Sequence, residues 1–310
     1  MAFRHVLLAL GLALVWGVNF VVIDVGLDHF PPLLFSALRF LVAAVPAILV
    51  LRHPGVPWRW VALVALTLAI LKFSLLFTGM AAGMPPGLSS LVLQTQAVFT
   101  ALFAVALLGE RLGRRQVAGL AVALAGVGLI AFDLGRTAPV GAFLLLLGAA
   151  AMWGISNVAI RRASPPDMLR FMVWVSALAT LPLFALSAMV EGPRGDWETL
   201  RTVTWPAVGA VAFVGLLATV AGFGAWGYLI RTYSASTVAP ISLLVPVFGM
   251  AAAALLLGER ITSTQLVAAV LIISGVLTGV VTVRRRTKSA FGRHSPCHRS
   301  DDMLQRSQAR

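Results

Sequence analysis

The sequence predicts an all-α integral membrane protein of about ten transmembrane helices, arranged as two inverted five-helix repeats. Three observations carry that expectation. First, 59% of the 310 residues are hydrophobic and only 11% are charged, with a mean hydropathy of +0.94. A soluble domain carries about 45–50% apolar and roughly 25% charged residues. Second, apolar runs long enough to cross a bilayer recur along the whole chain. Third, one stretch occurs twice, as LLGER at 107–111 and again at 256–260.

The duplication reaches beyond those five letters. The same offset of 149 positions pairs Phe99 with Phe248, Gln116 with Gln265 and Gly126 with Gly275. Each copy is a charged turn between two apolar runs, so a helix–turn–helix unit repeats at nearly half the chain length. A second echo opens each half, Trp16-Gly17-Val18-Asn19 against Trp153-Gly154-Ile155-Ser156-Asn157 at an offset of 137. Two units with an odd number of spans each sit upside down relative to one another.

A crossing needs about 20 mostly apolar residues. The expected spans are 5–25, 33–51, 59–80, 87–108, 116–132, 140–160, 168–190, 206–230, 236–257 and 264–283. Prolines mark the breaks at Pro31-Pro32, at Pro54 with Pro57, at Pro85-Pro86 and at Pro165-Pro166, because proline lacks the amide donor and restricts its predecessor. Glu191 to Trp205 reads as the longest internal polar loop. The run Val6 to Ile23 is too long for a signal-peptide core and no small-residue cleavage site follows it, so it reads as a retained first helix. The expected divisions are a first repeat at 1–137, a second at 138–283 and a basic, disordered tail at 284–310.

Arginines set the orientation. With both termini in the cytoplasm, the inner side collects Arg4, Arg52, Arg59, Arg111, Arg114, Arg115, Arg161, Arg162, Arg170, Arg231 and the tail. The outer side holds Arg136, Arg194, Arg201 and Arg260. The repeat supplies a control: the first turn continues GERLGRRQ and the second GERITSTQ, so Arg114 and Arg115 become Ser263 and Thr264 in the copy that an inverted repeat puts outside. The Glu-Arg pairs of both turns read as local ion pairs and helix-end charges.

Several function classes fall away. The formal charge of +13 does not read as a nucleic-acid footprint, since eight of the 24 basic residues lie in 284–310 and most others flank apolar runs. Attraction of the tail to anionic lipid fits that arrangement better. Cys297 is the single cysteine, so no internal disulfide or cysteine-based metal site is available. There is no Walker loop, and no clustered His, Asp and Glu set for a metal. The expectation is a non-enzyme without cofactor, metal or catalytic residue.

WGVNF at 16–20, the PPL…LRF run from Pro31 to Phe40, PxGLxSLVLQxQ from Pro85 to Gln96 and GERL…QxAG from Gly109 to Gly119 together resemble the EamA-type carriers of the drug/metabolite transporter superfamily. The second half adds APxSLLVPV from Ala239 to Val247 and the second GER. The resemblance covers about residues 5–283 and is strongest to bacterial exporters of O-acetylserine and cysteine-pathway metabolites. It implies a multi-pass secondary transporter of the bacterial inner membrane, exporting a small amino-acid-like metabolite by alternating access. Export of another metabolite or a drug is the alternative, and a non-transporting scaffold is a further one. Protons are the candidate coupling ion, and a homodimer the candidate assembly.

Polar groups inside hydrocarbon are expensive and usually face a pathway or a partner. Arg39, in the second span, reads either as a clamp for a substrate carboxylate or as a salt bridge fixing helix packing. Lys72, at the middle of the third span, reads as an anion ligand, as a group that releases its proton when water is excluded, or as a partner of Asp24. Asp24 is the only carboxylate inside an expected span, which makes Asp24 and Lys72 the candidates for proton coupling. Trp16 with Asn19, and Trp153 with Asn157, share helix faces in the two halves. With Gln94 they read as walls of a central pathway, or equally as helix-to-helix glue. Pro240 and Pro246 interrupt the ninth span and read as a gate or as a fixed kink.

Overall fold

The structure is a computed structural model and describes residues 1–48, 53–133, 138–233 and 235–286. The basic tail beyond 286, Cys297, Arg52 and Arg136 lie outside the described residues. Among the described residues there are helices and no strands, as hydrocarbon demands of a chain that must pair every backbone amide within itself. Among the same residues, eight helices are long and apolar enough to cross a membrane, and two apolar helices are shorter.

In chain order these are α1 (Phe3–Leu27), α2 (Pro32–Ile48), α3 (Trp58–Ala81), α4 (Pro86–Leu108), α5 (Arg114–Phe132), α6 (Val140–Ala163), α7 (Met168–Val190), α8 (Trp205–Tyr233), α9 (Thr237–Leu257) and α10 (Ser263–Arg286). Prolines begin or precede most of them, where the missing N–H is an orphan anyway. Both LLGER turns end their helices in the same way: Gly109 and Gly258 take the left-handed conformation at φ +66° and +69°, which a residue without Cβ adopts at no steric cost.

Helices pair across the sequence halves. α1 packs on the second segment of α9, α4 on α6, α2 on α7 and α5 on α10. Small residues set the distances. A Cβ built on Gly17 would lie 2.6 Å from Phe248 Cβ, and one on Gly154 would lie 2.8 Å from Phe99 Cβ. A Cβ on Gly119 would meet the Gly275 carbonyl at 2.5 Å, and one on Gly126 the Ala268 carbonyl at 2.9 Å. No such crowding surrounds Gly128 on the same helix. Gly119→Leu is therefore expected to cost about 1–3 kcal/mol through overpacking and to lower the unfolding temperature in detergent, while Gly128→Leu leaves it unchanged or raised.

Four helices depart from regular α winding. α3 carries a π stretch at Ala65–Lys72 and α8 another at Phe213–Ala221. α4 tightens into a 3₁₀ turn at Leu93–Thr95. In α9, one segment ends at Ser242 and the next begins at Val245. Pro240 lies inside the first segment and Pro246 in the first turn of the second, so the expected interruption falls between them. The expected polar loop 191–205 is partly helical, over Pro193–Arg201. Pro193 and the left-handed Gly192 (φ +93°) start that helix.

Candidate functional site

Arg39, Lys72, Trp153 and Thr219 each lie near the middle of a different helix, and the structure brings them together: Arg39 and Lys72 share one phenylalanine ring, Trp153 adjoins Lys72 and Thr219 bonds Arg39. The Arg39 guanidinium carbon sits 3.8 Å from the centroid of the Phe73 ring, and Lys72 Nζ sits 3.3 Å from the same centroid. Lys72 Nζ is also 4.8 Å from the Trp153 ring, and Arg39 5.6 Å from Phe40. Arg39 Nε donates to Thr219 Oγ1 at 3.0 Å, and that hydroxyl donates in turn to the Val214 carbonyl at 2.7 Å. The two π stretches thus supply Lys72 from α3 and Thr219 from α8. Wide winding of this kind recurs at functional sites, since it displaces a backbone segment from the regular register.

Both cations are buried, Arg39 at 3% and Lys72 at 5% exposure. One guanidinium nitrogen, Arg39 Nη1, has no hydrogen-bond partner. The ion pair present among the described residues joins Arg161 to Glu110 at 2.9 Å and includes neither Arg39 nor Lys72. Neither Arg39 nor Lys72 has a carboxylate partner there. The pairing of Lys72 with Asp24 is not what the structure contains: Asp24 lies on α1 within electrostatic reach of Asp28 and Glu259 instead. Aromatic faces attract a cation by roughly 0.5–2 kcal/mol, well short of the several kcal/mol lost on taking each ion out of water. The cluster thus joins two buried basic side chains through one ring, and among the described residues no carboxylate pairs with either.

The other sequence candidates occupy different surroundings. Trp16 Nε1 donates to the Ala218 carbonyl at 3.0 Å, beside Thr219, and its ring packs against Phe223 and Trp226. Asn157 Nδ2 donates to Gln96 Oε1 at 2.7 Å and to Thr100 Oγ1 at 3.1 Å, fastening α6 to α4. Asn19 is buried with its Oδ1 unpartnered, and Gln94 is buried in the 3₁₀ turn of α4. A cleft of about 230 Å³ between α3, α4 and α6 is lined by Trp60, Leu107, Ile155 and Arg162 and borders none of these cluster residues.

Two glutamates have roles that local reading missed. α2 and α4 both start with a proline preceded by another proline, so neither has a capping side chain of its own. Glu191, just past α7, accepts from Leu33 N at 2.7 Å and from Leu34 N at 2.9 Å. Glu259, in the second LLGER turn, accepts from Gly87 N at 3.0 Å. A carboxylate suits a helix N-terminus because free N–H groups and the helix dipole converge there. Glu259 is therefore not a partner of its neighbour Arg260 but a bridge from one sequence half to the other. Burial pushes its carboxyl above the usual range; the Gly87 N–H pulls back, the Asp24 charge raises it again and the Leu88 N–H lowers it.

Comparison with known proteins gives this arrangement a family. The EamA-like transporter family matches residues 3–132 and again 140–280. The chain belongs to that family. It is 42% identical over 292 residues to a Salmonella typhimurium protein named "Probable amino-acid metabolite efflux pump", covering 92% of this chain and 98% of the relative. An Escherichia coli K12 protein of the same name is 38% identical over 291 residues, covering 92% and 97%. A crystal structure with 22% sequence identity shares the fold at a TM-score of 0.61, covering 91% of this chain and 98% of its own. The EamA member described here is thus a multi-pass membrane transporter, not an enzyme.

Proposed function

We propose that this EamA transporter exports a small amino-acid-like metabolite, of the cysteine or O-acetylserine type, across the bacterial inner membrane by alternating access. The observation that carries the reading is the buried Arg39–Phe73–Lys72 cluster, in which two basic side chains share one ring and, among the described residues, pair with no carboxylate. A guanidinium with a free nitrogen can take a carboxylate oxygen, and the neighbouring ammonium can take the other. Family relatives named as amino-acid metabolite efflux pumps support the cargo class.

The transport path in this proposal lies between two inverted five-helix halves, 1–137 and 138–283, with both termini cytoplasmic. Support comes from contacts that repeat under exchange of the halves. The offset of 149 turns the Gly126–Ala268 contact into Gly275–Gly119, and the two sequence offsets turn Phe99–Gly154 into Phe248–Gly17. The irregular turns of α4 and α9 and the π stretches of α3 and α8 fall at matching places too. Broken helices at matching positions in two halves are how carriers expose backbone groups to cargo. In this scheme Trp16, Asn19, Gln94, Trp153 and Asn157 shape the path, Pro240 and Pro246 permit its gating, Asp24 and Lys72 are the groups available for proton coupling, and two copies form the candidate assembly.

Counterflow with purified protein in liposomes, run over a panel of amino-acid metabolites with and without a pH gradient, tests the proposal. Saturable exchange of a serine- or cysteine-derived compound is expected. Absence of exchange for every member of the panel would overturn it.

A further inference from the structure

We infer that the cleft between α3, α4 and α6 seats one acyl chain of an anionic phospholipid whose phosphate is held by Arg162 and Arg59. Two neighbouring faces of α6 do different things here. Gly154, Asn157 and Arg161, spaced three and four apart, face α4. A Cβ on Gly154 would crowd Phe99, Asn157 donates to Gln96 and Thr100, and Arg161 pairs with Glu110. Ile155, Val158, Ala159 and Arg162, on the adjoining face, line the cleft instead. The cleft therefore lies beside the junction that fastens the first sequence half to the second, at the end that carries Arg161, Arg162 and Glu110.

What fits the cleft follows from its walls. Val158 and Ala159 form a buried floor, while Leu63 and Leu107 are exposed lips. Leu63 belongs to an exposed apolar stripe of α3 with Leu66, and Leu107 to one of α4 with Leu102 and Val105. On helices long and apolar enough to cross a membrane, such stripes meet lipid tails. Apart from Arg162 and the indole N–H of Trp60 the lining is apolar, which suits a hydrocarbon chain and not a small polar cargo. Pockets that enclose a whole small ligand run about 300–1,000 Å³; at about 230 Å³ this cleft takes a length of chain. Lipid tails are as apolar as leucine, so the groove gains packing contacts without selecting among lipids. Selection comes from the charges. Arg162 is exposed at the cleft, and the Arg59 guanidinium carbon stands 5.5 Å from the centroid of the Trp60 ring that lines it. Arg161 is paired with Glu110, whereas among the described residues no carboxylate pairs with Arg162 or Arg59. A guanidinium can hold two phosphate oxygens at once, and basic pockets between spans suit anionic headgroups. The proposed orientation puts this end in the cytoplasmic leaflet; the seat itself depends neither on that orientation nor on the cargo.

The full chain, purified in detergent, is offered equal amounts of phosphatidylglycerol and phosphatidylcholine with identical acyl chains, and the lipid it retains is read by native mass spectrometry. Retention of phosphatidylglycerol several-fold above phosphatidylcholine is expected. Arg162→Gln should lower phosphatidylglycerol retention about five-fold, the effect of one arginine on an anionic lipid, and leave phosphatidylcholine unchanged. Arg115→Gln, which removes a charge that does not line the cleft, should leave both unchanged. Ala159→Leu fills the floor and keeps every charge, so it should lower retention of both lipids. If Ala159→Leu does not yield folded protein, Leu108→Trp fills the cleft from α4 with the same expected result. Equal phosphatidylglycerol retention with and without Arg162, or an equal loss in Arg115→Gln, would place the anionic lipid elsewhere on the basic surface and overturn the inference. Full retention in the cleft-filling variant would overturn it too, by leaving a charged rim without a chain seat. Each of these failures leaves the exporter reading intact.

Discussion

Arg39→Gln is expected to lower counterflow by about a hundred-fold while leaving membrane abundance normal and thermal stability equal or higher. Truncating one member of a buried charge pair normally costs about 2–5 kcal/mol because the partner is stranded. Here no carboxylate among the described residues pairs with Arg39, and the Nε bond to Thr219 is one that glutamine can partly replace. What disappears is a desolvated charge, so the empty protein loses a liability and the loaded protein loses its anchor. This opposition between function and stability is the signature of a binding site and not of a packing device. Lys72→Met should behave in the same direction. Abundance in membranes, unfolding temperature in detergent and initial counterflow rate decide the matter together. A collapse of abundance would instead make Arg39 a structural residue.

The second large effect is expected at the Glu259 corner. In the proposed topology this corner lies outside, where Glu259 caps α4 and Glu191 caps α2. Removing a cap costs roughly 0.5–2 kcal/mol, enough to shift a two-state balance several-fold. Glu259→Ala is expected to open the corner, read as several-fold faster labelling of Leu88→Cys by an impermeant maleimide in a Cys297→Ser background. Glu259→Gln, which still accepts from Gly87 N, should label slowly. The pH dependence has a definite sign. Burial raises the Glu259 carboxyl above its ordinary 4.5 in the capped conformer, so that conformer holds the proton more tightly than one in which Glu259 is hydrated. Lowering the pH from neutral toward 4.5 therefore favours the capped conformer and slows labelling. Asp24 and Asp28 share this neighbourhood, and the thiolate fraction of the introduced thiol itself falls with pH, so only the slowing in excess of that seen in Glu259→Gln is assigned to Glu259.

The apolar helices were legible because their signal is local: long apolar runs bounded by prolines and arginines. The start of α2 at Pro32, of α4 at Pro86 and of α6 at Val140 all fall within a residue of expectation. The winding defects were not legible. Ala65–Lys72, Phe213–Ala221 and Leu93–Thr95 contain no proline, and apolar letters alone do not distinguish five-residue from four-residue hydrogen bonding. At the candidate site, Arg39 and Lys72 stood out as charges in hydrocarbon, yet their shared ring, Phe73, looked like any core phenylalanine. Glu191 and Glu259 act on helices 158 and 172 positions away. The one sequence hint was negative: a helix opening on two prolines has no cap of its own and must borrow one.

The central claim is that two antiparallel halves enclose a shared cationic site. The direct measurement places single cysteines at Arg111 and at Arg260 in a Cys297→Ser background and reacts intact cells with a membrane-impermeant maleimide. The expected result is labelling at 260 in intact cells and at 111 only after permeabilisation. Labelling of both positions from the same face of an intact cell would contradict the claim.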